Sequence, residues 1–229
     1  MKFARVVYFL FVTGGLMSVC YGQNTNDPAP FAGEIAAFEI IDQKSFPPEN
    51  AIVITGSSSI RRWDSIVEDL NPLTIIPRGF GGSTMADLLL YLDRIVLNYK
   101  PRAVVIYEGD NDTARGVSPQ EVAQQFTAGI KRIHDAYPDT RIYLISVKPS
   151  ILRWEMWKEA QATNELLQDI ANADERIMYI DAASALLDQN GVVMQDIFVE
   201  DDLHFNDKGT HLWASVIRAV LIANEASFE

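Results

Sequence analysis

The sequence predicts an α/β domain in which a parallel sheet is covered by helices on both faces. Two observations carry this. Short β-type runs alternate along the chain with longer segments of helical periodicity. The runs are continuously apolar rather than alternating, as in strands buried on both faces. A third observation bounds the size: 229 residues, 48% of them hydrophobic and 22% charged, suit one large globular domain with a real core.

The first strand is Ala51-Ile52-Val53-Ile54-Thr55, entered after Pro47-Pro48 and closed by Gly56. Leu73 to Ile76 forms a second, weaker strand. Helical spacing of Leu88, Leu89, Leu92, Ile95 and Val96 predicts a helix from Met85 to Tyr99. Ala103-Val104-Val105-Ile106-Tyr107 is the third strand. Ser118-Pro119-Gln120-Glu121 supplies a cap, a proline at the first helical position and an acid in the first turn, so a helix starts there and runs to Ala136, before Pro138. Arg141 to Val147 is the fourth strand, Arg153 to Ala173 a long helix, Ile177 to Ile180 the fifth strand, and Lys208 to Asn224 the last helix. No internal repeat or composition break divides the domain.

The N-terminus has a different character. Met1 to Arg5 is basic, Val6 to Val19 is uncharged, and Cys20-Tyr21-Gly22 puts small residues at the third and first positions before Gln23. This is the layout of a signal peptide, residues 1–22, with cleavage near Gly22. The apolar run is short for a membrane span, so an uncleaved anchor ranks behind cleavage, and a lipid anchor on Cys20 ranks third. Processing would remove two cations and no acid, taking the formal net charge from −12 to −14. The expected product is exported, with no stable membrane span. Residues 23–50 read as a polar lead and a short helix, and 51–229 as the domain proper. Such acidity disfavours nucleic acid as a partner, because phosphate recognition needs clustered Lys and Arg. One Cys excludes an intramolecular disulfide and a multi-Cys metal site.

In parallel sheets, ligand sites gather beyond the carboxyl ends of the strands. After strand one come Gly56-Ser57-Ser58-Ser59-Ile60, a serine at a helix start that can favour developing negative charge; alone, the segment reads more readily as an N-cap serine cluster. After strand two come Arg78-Gly79-Phe80-Gly81-Gly82-Ser83-Thr84, whose glycines permit close approach of backbone to a ligand or simply form a loop. After strand three, Asn111 can present an amide donor or make an Asx turn. Near the C-terminus, Asp201 and His204 are three apart, and His204 is the one histidine of three that lies in a loop with an acid at this spacing. Together the four segments hold a nucleophile, backbone and side-chain donors, and a base with its orienter, the parts needed for acyl transfer.

In this order the motifs resemble those of the SGNH (GDSL-type) hydrolases, over roughly residues 50 to 220. The resemblance puts the nucleophile at Ser58, with Ser57 where the family has Asp. The oxyanion donors fall on Ser58, Gly82 and Asn111, and the base and its acid on His204 and Asp201, with Asp202 the neighbouring alternative. It implies a three-layer α/β/α sandwich with a mostly parallel, flavodoxin-like five-stranded sheet, and serine esterase chemistry without metal or organic cofactor. The expected substrate is a small-molecule or carbohydrate ester. Arg78 beside the glycine loop, and Trp154 and Trp157 after strand four, are the candidates for contacting it. The absence of a long lid-like insertion favours a short acyl group, acetyl on carbohydrate, over a lysophospholipase or thioesterase substrate. Ile60 stands where Gly-x-Ser-x-Gly requires its second glycine, which disfavours the α/β-hydrolase fold. A phosphate- or carbohydrate-binding module on the same scaffold is the non-catalytic alternative.

Overall fold

A computed structural model describes residues 30–229. The expected signal peptide, its Cys20 and most of the polar lead lie outside the described residues.

Five strands form one sheet: β1 (Ile52–Gly56), β2 (Ile75–Gly79), β3 (Ala103–Tyr107), β4 (Arg141–Ile145) and β5 (Ile177–Ile180). Their order is β2-β1-β3-β4-β5, and every pairing is parallel. The side-chain period of two divides the strands between two cores. Val53, Val104, Ile106, Ile142 and Leu144 face one side, where they meet helices α1 (Ala32–Lys44), α4 (Met85–Ile95), α6 (Pro119–Ala136) and α7 (Trp157–Asn172). Ile52, Ile54, Val105, Tyr143 and Ile145 face the other, against the short helices α2 (Ser58–Arg61) and α3 (Ile66–Asp69) and the long α8 (Asp207–Glu225). Helix α5 (Asp110–Ala114) follows β3. The result is the three-layer α/β/α sandwich the sequence predicts.

Local chemistry fixes the helix starts. Thr84 caps α4 in a capping box with Asp87. Ser118 accepts from Glu121 N–H ahead of Pro119, and Asn206 caps α8 by accepting from Gly209 N–H. Several boundaries differ from the sequence reading: β4 stops at Ile145, two residues before Val147, and a 3-10 turn at Trp154–Met156 precedes α7, which begins at Trp157. β2 begins two residues later than Leu73 and runs through Pro77 to Gly79; Pro77 is tolerated because β2 is an edge strand. α4 stops at Ile95, and a 3-10 turn at Leu97–Tyr99 completes the expected segment before Pro101.

Candidate active site

The carboxyl ends of β1, β2, β3 and β4 open on a cleft of about 900 Å³. Ser58, Gly81, Gly82, Asn111, Arg153 and His204 are among its lining residues.

β1 delivers Ser58 through a turn that requires glycine. Gly56 has φ +145, and a Cβ there would lie 2.1 Å from Tyr107 O. Ser57 N–H donates to Tyr107 O at 3.1 Å, anchoring the turn to β3, and the Ser57 carbonyl accepts from Ile60 and Arg61 N–H. Ser58 is the first residue of α2. Gly79 of β2 lets α2 lie directly on the sheet, since a Cβ at Gly79 would sit 2.4 Å from Arg61 N.

His204 comes from a turn that Asp201 builds. Asp201 Oδ1 accepts from the backbone N–H of Leu203 (3.0 Å) and of His204 (2.8 Å). Its Oδ2 lies 2.6 Å from His204 Nδ1, and His204 Nε2 lies 2.9 Å from Ser58 Oγ. These contacts fit one tautomer, with Nδ1–H donating to Asp201 and the Ser58 hydroxyl donating to Nε2. Partial burial pushes the Asp201 carboxyl up, but the hydrogen bonds from His204 and Leu203 outweigh it and hold it well below the usual carboxylate range. Arg62 Nη1 stands 3.7 Å from the same carboxylate. Asp202 has φ +57 and contributes its backbone to the turn, accepting from Leu152 N–H. The imidazole contact belongs to Asp201.

The third group converges from β2 and β3. Asn111 Nδ2 donates to Ser83 O at 2.9 Å and lies 3.8 Å from the point where a Gly82 Cβ would stand. Among the described residues, neither Ser58 N–H nor Gly82 N–H has an acceptor. Behind this loop, Ser83 Oγ lies 2.6 Å from Glu108 Oε1 and 3.1 Å from Phe80 O. Complete burial pushes the Glu108 carboxyl far above its ordinary value. A serine carries one proton, so both contacts are satisfied when a neutral Glu108 donates to Ser83 Oγ and Ser83 donates to Phe80 O. Asp112, pushed up to about 6 by burial, accepts from Met85 and Gly109 N–H and ties the β3 loop to the start of α4.

The structure brings Ser58, His204, Asp201, Gly82 and Asn111 together, and it corrects the remaining three expectations. Arg78 is not at the rim. It is 6% exposed, with Nη2 2.6 Å from Asp42 Oδ1 and Nε donating to Tyr99 OH, and its guanidinium lies over the Phe38 and Tyr99 rings. A buried cation needs such partners, and they lie away from the cleft, so Arg78 clamps α1 to the sheet. Trp154 and Trp157 stack on each other at 6.2 Å, but neither lines the Ser58 cleft. Trp154 packs on the core beneath α8, and Trp157 borders a separate depression with Tyr179 and Asp181. Their neighbour Arg153 turns into the cleft instead, which no local sequence signal distinguishes. Among the described residues, no cluster of His, Cys, Asp or Glu is arranged to hold a metal, and no helix is long and apolar enough to cross a membrane.

Comparison with known proteins agrees with this fold. The fold is similar to that of a GDSL-like lipase from Bacteroides thetaiotaomicron, with a TM-score of 0.69, 19% identity, and 82% of this chain and 97% of the other covered. It is also similar to a lipase/acylhydrolase from Enterococcus faecalis (TM-score 0.61, 20% identity, coverage 76% and 96%). A third likeness is to a family 3 carbohydrate esterase from Clostridium thermocellum (TM-score 0.64, 15% identity, coverage 79% and 98%). No curated relative matches it in sequence. Residues 48–212 match the model of the GDSL-like lipase/acylhydrolase family. That span takes in every strand and every residue that meets in the cleft, and the chain belongs to this family of acylhydrolases and esterases.

Proposed function

We propose that the protein is an exported serine esterase that removes small acyl groups, acetyl foremost, from carbohydrate or other polar alcohols. The observation that carries the reading is the relay of two short contacts, Ser58 Oγ to His204 Nε2 at 2.9 Å and His204 Nδ1 to Asp201 Oδ2 at 2.6 Å.

In this reaction His204 takes the Ser58 proton as Oγ attacks the ester carbonyl. The tetrahedral oxyanion accepts from Ser58 N–H, Gly82 N–H and Asn111 Nδ2. His204, now charged and held by Asp201, gives its proton to the departing alcohol. Water, deprotonated by His204, then attacks the acyl-enzyme and releases the acid and the free serine. A polar, open cleft supports a small acyl group on a hydrophilic leaving group, and the likeness to a carbohydrate esterase agrees with that substrate class. The basic-then-apolar N-terminus supports export.

Labelling with a fluorophosphonate followed by peptide mapping tests the reading. The expected adduct is on Ser58, and the labelled protein should have lost hydrolysis across a panel of acetyl, butyryl and longer esters. Binding of acetylated glycans without labelling would favour the binding-module reading instead.

A further inference from the structure

We propose that Arg153 is the positioning residue that holds Asn111 as a donor to the oxyanion; this rests on the esterase reading above.

The side-chain amide of Asn111 has two donor hydrogens and one carbonyl, and only one orientation is useful. Facing the substrate with Nδ2 stabilises an oxyanion; facing it with Oδ1 repels one. Both ends of the amide are committed by partners from elsewhere in the chain. One Nδ2 hydrogen is donated to Ser83 O at 2.9 Å, and Oδ1 accepts from Arg153 Nη2 at 3.0 Å. A flipped amide would point Oδ1 at the Ser83 carbonyl and Nδ2 at a guanidinium, two repulsions in place of two hydrogen bonds. The second Nδ2 hydrogen is left for the cleft. A cation on the carbonyl end also polarises the amide, which makes the free N–H a stronger donor.

Arg153 is itself held. Its Nη1 lies 2.7 Å from Asp110 Oδ1, within ion-pair distance though off the line of an N–H hydrogen bond, and its backbone N–H donates to Ser150 Oγ. One guanidinium thus spans two consecutive side chains, Asp110 and Asn111, at the start of α5. The segment that carries Arg153, from Ser146 at the end of β4, also reaches the other half of the site. Lys148 Nζ donates to Leu203 O at 2.7 Å, and Leu152 N–H donates to Asp202 O at 3.0 Å. The same loop therefore fixes both the turn that carries His204 and the amide opposite it.

The test is a double-mutant cycle in the full chain on a small soluble acetyl ester, reading kcat and KM separately, with melting temperatures to establish folding. Arg153→Met should lower kcat by about 10- to 100-fold, less than the roughly 10²–10³ of losing an oxyanion donor outright, with KM nearly unchanged. Arg153→Lys, which keeps the charge and a donor, should recover part of that loss and serves as the variant if Arg153→Met does not fold. In an Asn111→Ala background either change should have almost no further effect on kcat. Full kcat in Arg153→Met, or its whole loss repeated in the Asn111→Ala background, overturns the proposal while leaving the Ser58–His204 reading intact. An Asn111→Ala enzyme with undiminished kcat removes Asn111 from the oxyanion site and this role of Arg153 with it. An active Ser58→Ala enzyme overturns the esterase reading as a whole.

Discussion

His204 Nε2 lies 2.9 Å from Ser58 Oγ although the two residues stand 146 positions apart. The contact joins the start of α2 to the turn before α8, and no backbone hydrogen bond requires the two side chains to meet. Ser58→Ala should therefore leave the fold and melting temperature almost unchanged while lowering turnover of a small acyl ester by at least about 10³-fold. Steady-state kinetics on purified protein beside a thermal melt checks both halves, and near-normal hydrolysis by the variant would remove Ser58 from the reaction.

Asp201 stays charged through the acid side of the pH profile. Its carboxyl is held well below the usual carboxylate range by the turn it organises, after opposing a contribution from burial. A carboxyl lowered on folding keeps its interactions above the unfolded value and loses them only as the pH falls through the folded one. From about pH 5 to 8 Asp201 thus remains ionised, so a fall of kcat/KM on acidification across that range reports a base other than this carboxylate. Asp201→Asn, which can present an N–H where the imidazole needs an acceptor, should lower kcat by roughly 10⁴-fold. Asp202→Asn should change it little. A rate flat across that range counts against a histidine base.

Gly82 and Asn111 should respond differently to alanine. A Cβ at Gly82 meets only Asn111 Nδ2, at 3.8 Å, and the N–H that matters is retained, so Gly82→Ala should cost only a few-fold in kcat. Asn111→Ala removes its donor and should cost about 10²–10³ in kcat, roughly 2.7–4 kcal/mol in the barrier. Parallel measurements of kcat on one ester decide the point. A larger loss in Gly82→Ala than in Asn111→Ala would mean that the loop, not the amide, is limiting.

These contrasts track what the sequence can carry. Strands β3 and β5 fall where their apolar runs lie; β3 is buried throughout, and a strand buried on both faces advertises itself in consecutive residues. β2 is displaced because Pro77 reads as a strand breaker until the topology makes it an edge. Ser58, Gly82, Asn111 and the Asp201–His204 pair are legible because each sits directly after a strand or at a spacing that closes a turn. Arg78 and Arg153 are not. Each is a long cation in a loop or strand end, and its direction is decided by a partner far away: Asp42, 36 positions before Arg78, and Asn111, 42 before Arg153. The Trp154–Trp157 stack follows from their spacing, but which depression it borders depends on how α7 lies on β5.

Glu108 supplies a prediction in which removing a potential charge is harmless. It is fully buried behind the glycine loop, its Oε1 lies 2.6 Å from Ser83 Oγ, and its Oε2 has no partner among the described residues. Desolvation raises the carboxyl far above its ordinary value against the opposing Ser83 contact. The native state therefore holds a proton that the unfolded chain releases above roughly pH 4.3, and stability falls as the pH rises from that value towards the folded one. Glutamine reproduces the neutral acid, with Nε2–H donating to Ser83 Oγ. Glu108→Gln should accordingly unfold within about 1 kcal/mol of wild type near pH 5 and lose less stability than wild type between pH 5 and 8. Asp112, pushed up to about 6, leaves a residual slope in the same direction. Glu108→Ala, which opens a cavity and strands Ser83, should cost about 2 kcal/mol or more. Urea unfolding at a series of pH values separates the cases. Should Glu108→Gln be destabilised at every pH with the wild-type slope retained, Glu108 is ionised in the fold and the neutral-acid assignment fails.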